Sequence, residues 1–103
     1  MPKVEGTYAH SMTKAEAAEA AKKAMAKLVS SFEATDVVIS SGITAGKYNV
    51  EFSCKSRGFK ISGKVFIGED DIKVIVDLPM MAIAFKGLVK AAMDKNIPKH
   101  LES

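Results

Sequence analysis

The chain has 103 residues, a formal net charge of +3, and 48% hydrophobic and 26% charged residues. That length fits one domain, residues 1–103, able to bury roughly 60–70% of its unfolded surface. The composition excludes a disordered chain, and an uncharged apolar run no longer than Leu78 to Phe85 excludes a spanning helix, which needs about 20 apolar residues. A single cysteine, Cys54, excludes an internal disulfide, and with only His10 and His100 beside it there is no metal-ligand spacing.

In chain order, "KVEGTY" alternates Val4, Gly6 and Tyr8 with Lys3, Glu5 and Thr7, which predicts a short strand. "TKAE" from Thr13 is a capping box, in which the threonine hydroxyl accepts from the Glu16 amide while Glu16 reaches back. A helix is expected from there to about Phe32, with Ala18, Ala21, Met25, Leu28 and Phe32 as a narrow apolar stripe and Glu19 paired with Lys23. "DVVIS" at 36–40 is β-branched and predicts a strand, and "SGITAGK" behind it predicts a turn.

Three segments then alternate with period two. Their apolar faces are Tyr48, Val50, Phe52 and Cys54; Phe59, Ile61, Gly63, Val65 and Ile67; and Ile72, Val74, Val76 and Leu78. The connectors "KSRG" and "GEDD" read as turns, so the simplest arrangement is an antiparallel meander, with Cys54 opposite Phe59 and Ile67 opposite Ile72. A last helix is expected to begin at Pro79 and to end before Pro98. The fold class is therefore α+β: a two-layer sandwich of an antiparallel β-meander with an N-terminal strand and two helices packed on one face, in the order β-α-β-β-β-β-α.

Wound at about 100° per residue, the last helix groups Met81, Phe85, Leu88, Val89 and Ala92 on one side for the sheet, with Lys86, Lys90 and Asp94 opposite. Met80, Ile83, Ala84 and Gly87 are left over. Either the first helix covers them, or they are an interaction surface for a lipid, a polymer or a second copy of the chain. Phe66 and Ile75, diagonal neighbours on the outer sheet face beside Lys64 and Lys73, pose the same alternative. A further possibility is an apolar ligand or lipid pocket near Gly63, bounded by Tyr48, Phe52 and Met81.

No catalytic constellation is present, so a non-enzymatic protein without cofactor is expected. His10, between strand and helix cap, suits a structural hydrogen bond, and Asp70 and Asp71 suit a turn. A nucleic-acid partner is disfavoured, because Glu51 and Asp77 share the outer face with Lys60, Lys64 and Lys73. Residues 1–10 lack the apolar centre of a secretory signal, so a cytoplasmic location is expected.

Three stretches, "AHSMTKAEAAEAAKKAMAKLVSSF", "SRGFKISGKVFIGEDDIKVIVDLP" and "MMAIAFKGLVKAAMDKNI", cover most of the chain. Together they resemble the bacterial polyhydroxyalkanoic acid system proteins, also called the polyhydroxyalkanoate granule region family. The shared features are His10-Ser11 before the first helix, Gly58 and Gly63 in a Gly-x-x-x-x-Gly spacing, and Leu78-Pro79 leading into an apolar final helix. The resemblance implies an accessory protein of storage-polyester metabolism, cytoplasmic and associated with the granule surface or a granule protein. It brings no catalytic or binding residues with it.

Overall fold

The computed structural model describes residues 2–44 and 47–101. Strand β1 (Lys3–Ala9) leads to helix α1 (Lys14–Ser31), then to strands β2 (Thr35–Thr44), β3 (Lys47–Ser56), β4 (Phe59–Ile67) and β5 (Asp71–Asp77). A 3-10 helix, Met80–Phe85, runs directly into helix α2 (Lys86–Leu101). All strand pairs are antiparallel, in the order β1-β5-β4-β3-β2, so the first strand closes on the last and β1 and β2 are the two edges. The α+β order and the two-helix layer are those the sequence predicts.

Alternation puts Val50, Phe52, Cys54, Val65, Ile67, Ile72, Val74 and Val76 inside. The capping box is formed: Glu16 N–H donates to Thr13 Oγ1 at 3.2 Å and Thr13 N–H to Glu16 Oε1 at 3.1 Å. α1 buries Ala17, Ala20 and Ala24 as well as Ala18, Ala21, Met25 and Leu28, a broader face than one stripe. The reason is that α1 packs on both the sheet and α2, and alanine lets backbones approach on each side. Lys22 rather than Lys23 approaches Glu19, at 3.9 Å.

Three expectations about the elements and their register need correction. β2 does not end at residue 40; it continues to Thr44 opposite β3, with Gly42 inside it, and Ala45 and Gly46, on which the rest of the expected turn falls, lie outside the described residues. In the β3–β4 hairpin, Ser56 rather than Cys54 faces Phe59, and Cys54 faces Ile61. The two-residue loop Arg57-Gly58 has φ of 53° and 82°, the positive angles a type I′ turn demands. Because the slip is two residues, the strand faces are unchanged; the second hairpin pairs Ile67 with Ile72 as predicted. Finally, Pro98 sits inside α2. Ile97 and Leu101, buried on either side of it, hold that last turn against the lost amide hydrogen bond.

Candidate functional site

Pro79 cannot donate a backbone hydrogen bond and no side chain caps the segment after it, which closes instead through an Ala82 N–H to Pro79 C=O bond of 2.9 Å. That i to i+3 bond winds Met80–Phe85 at about three residues per turn rather than 3.6. The change of pitch decides which side chains are buried. Ala82 is 1% exposed and Phe85 half-buried, whereas Met80 is 71%, Met81 84% and Ile83 55% exposed. Ala84 and Gly87 are also exposed, and a Cβ on Gly87 would touch nothing. α1 leaves this strip open to solvent.

The sequence places Met81 and Leu88 in the core, and the structure overturns both: Leu88 is 57% exposed. For Met81, a wheel at one uniform pitch carries the phase of α2 back through a segment that does not share it, whereas Leu88 lies in α2 itself, beside the buried stripe that begins at Val89. Once the α-helical pitch starts, Val89, Met93, Ile97 and Leu101 recur every four residues and are all buried.

Behind the strip lies a narrow apolar cleft of about 30 Å³ between the 3-10 helix, the end of α1 and the β3–β4 hairpin. Phe32, Phe59, Ile61, Leu78, Phe85 and Leu88 line it, with Arg57 at its mouth. The Phe59 and Phe85 rings are 6.1 Å apart and tilted by 57°, and the Arg57 guanidinium carbon lies 5.5 Å from the Phe85 ring centre. Arg57 is the chain's single arginine. Among the described residues, neither it nor the exposed Lys86 has a carboxylate within 4.0 Å.

The structure does not bring Phe66 and Ile75 to this strip. They lie on the opposite, outer face of the sheet, Phe66 opposite Lys73 and Ile75 opposite Lys64, with Phe66 47% exposed and Ile75 half-buried. Two lysines of that face have acidic neighbours, Lys64 with Glu51 and Lys3 with Asp77, each at 3.9 Å. The pocket expected near Gly63 is filled on the inner face. A Cβ there would overlap the Phe52 ring and come within 2.9 Å of the Ile75 carbonyl oxygen, and Met81 points away into solvent.

The polar residues with defined partners act on the scaffold. His10 Nε2 lies 2.9 Å from the Gly68 carbonyl, and Met12 N–H donates to Nδ1 at 3.1 Å, which fixes the neutral tautomer with its proton on Nε2. His10 thus ties the start of α1 to the β4–β5 turn. Tyr8 Oη donates to Asp94 Oδ1 at 2.7 Å, and Lys90 Nζ donates to the same oxygen at 2.8 Å. The Lys90 hydrogen bond foremost, then that of Tyr8, holds the Asp94 carboxyl below its usual range, while burial and then Asp94 push the Tyr8 phenol well above its own. Burial also raises the Cys54 thiol, so that side chain is core.

The profile of the family described as "Putative polyhydroxyalkanoic acid system protein" matches residues 6–101. The chain belongs to this family. The match takes in the whole C-terminal arm and the Arg57 hairpin, so the strip and the cleft are parts of the polyhydroxyalkanoic acid system domain itself. No curated protein matches the chain. Among solved structures, TTHA0849 from Thermus thermophilus is similar at 9% identity and a TM-score of 0.37, over 98% of this chain and 92% of that one. Among the described residues, no helix of this polyhydroxyalkanoic acid system protein is long and apolar enough to cross a membrane.

Proposed function

We propose that this protein is a non-enzymatic accessory of storage-polyester metabolism that attaches to the granule, at its polymer surface or through a granule protein, by the strip Met80–Leu88. The observation that carries the reading is the exposure of Met80, Met81, Ile83 and Leu88 along one short segment. Each such side chain gains about 1.5–3 kcal/mol when fully taken out of water. Four within nine residues are a reservoir of binding energy that folding leaves unused. Ala84 and Gly87 add no bulk between them, and Lys86, without an acidic neighbour among the described residues, favours an anionic boundary. Met, unbranched and flexible, conforms to an irregular apolar surface more readily than aromatic rings do. Phe66, with Ile75 beside it, is a separate and smaller apolar feature on the other layer, and would be a secondary contact.

Fractionation of granule-containing cells tests this. Wild-type protein is expected in the granule fraction, and the double variant Met80→Glu, Ile83→Glu in the soluble fraction with unchanged thermal stability. Equal distribution of the two proteins would contradict the proposal. A second copy is the competing occupant of the same strip. Sedimentation analysis showing a monomer across a wide concentration range would exclude it.

A further inference from the structure

We infer that the cleft behind the strip is a binding site for an alkyl monocarboxylate, with the alkyl end among Phe59, Phe85 and Leu88 and the carboxylate on Arg57. The cleft is narrow and almost entirely apolar, so it selects a hydrocarbon chain. Its volume of about 30 Å³ is far below the ~300–1,000 Å³ of a site for a whole drug-sized ligand. It therefore takes a chain end and leaves the rest of the molecule at the mouth, where the chain's one arginine stands.

Three features single out Arg57. The chain carries fourteen lysines and this one arginine, and a planar guanidinium is the group that grips a carboxylate through two parallel N–H donors. It has no acidic partner among the described residues, while its contact with the Phe85 ring holds it beside the cleft. And it occupies, at φ 53°, the first loop position of a turn that prefers Asn, Asp or Gly. The hairpin would be at least as stable with asparagine there, so folding does not require the guanidinium. A carboxylate with an alkyl chain has two sources that share this chemistry: a free alkanoate or hydroxyalkanoate, and the carboxyl end of a polyester chain.

Titration of the full chain with sodium hexanoate, followed by NMR, tests the site. Saturable shifts are expected for the Phe59 and Phe85 ring protons and the Arg57 side chain, and none for Val37 or Ile43, which lie on the β2 edge. Affinity should rise about fourfold per methylene from acetate and level off within the first few carbons, once a cleft of about 30 Å³ is full. Arg57→Asn should weaken hexanoate at least tenfold, leave 1-hexanol unaffected, and not lower the melting temperature. Leu88→Glu, at an exposed position, should also abolish carboxylate binding. Shifts that never saturate, or an Arg57→Asn variant that binds hexanoate like wild type, would overturn the inference. Hydroxybutyrate oligomers with a free carboxyl end, compared with their methyl esters, separate the two sources: preference for the free-ended oligomer over the monomeric acid assigns the site to polymer ends, and the reverse to the free acid. The inference does not depend on granule attachment. Hexanoate binding without granule retention, or retention without hexanoate binding, tells the two failures apart.

Discussion

The two parts of the C-terminal arm have opposite fates, and the one richer in apolar residues, Met80–Leu88, is the one left in water. Val89–Leu101 turns Val89, Met93, Ile97 and Leu101 inward at a constant spacing of four, whereas Met80–Leu88 leaves Met80, Met81, Ile83 and Leu88 in water. Over Met80–Phe85 what separates them is winding, since that segment is held at 3-10 pitch by Pro79 and the i to i+3 bond behind it, while Leu88 lies in the first turn of α2 and lines the cleft. Apolar content alone does not make a core; phase relative to the sheet does. The later part stabilises the fold, and the earlier part is free to do something else.

The sharpest way to break that comparison is to truncate one methionine in each part. Met93→Ala, at a fully buried site, should cost about 2–5 kcal/mol in urea unfolding, while Met81→Ala should stay within about 0.5 kcal/mol. Comparable losses would mean that the strip is packed after all. Next in size is the floor beneath the helices. Gly63→Ala forces a methyl group against the Phe52 ring and the Ile75 carbonyl, and should destabilise by about 1–3 kcal/mol. No loss would show that the inner face keeps room for a ligand there.

The smallest expected effect concerns what pins the buried part of the arm to β1. The carboxyl of Asp94 is held below its usual range by Lys90 and Tyr8, so its contribution is present above the unfolded value of about 3.9 and is lost as pH falls through the folded value. Melting temperatures of wild type and Asp94→Asn should therefore differ slightly near neutral pH and converge in acid. The Tyr8 phenol is raised, so its part is complete below the unfolded value of about 10 and is lost as pH rises through the folded one. An Asp94→Asn difference that persists in acid would assign the effect to packing instead of charge.

Much of this arrangement was legible in the sequence. Period-two alternation gave three strands and their inward faces, and "TKAE" located the start of α1 to the residue. The register of the first hairpin was missed because slips of two residues preserve every face, and only the backbone angles of Arg57 and Gly58 fix the loop at two residues. Met80 and Ile83 stood out as surplus apolar residues, but Met81 did not, since a change of helical pitch leaves no periodic trace in six residues, and Leu88 did not, since it adjoins the buried stripe of α2. Arg57 was readable only as part of a turn. That it is the chain's single arginine was the available signal, and its place at the mouth of a cleft depends on α1, β4 and the 3-10 helix meeting there.

Methionine oxidation by dilute peroxide, read residue by residue by mass spectrometry with and without purified polyester granules, tests the central claim most directly. In free protein Met80 and Met81 should oxidise fast, and Met25 and Met93, both 0% exposed, slowly. Adding granules should protect Met80 and Met81 and leave the partly exposed Met12 as it was. Unchanged oxidation of Met80 and Met81 on granules that have taken up the protein would contradict the account, because attachment would then run through some other surface.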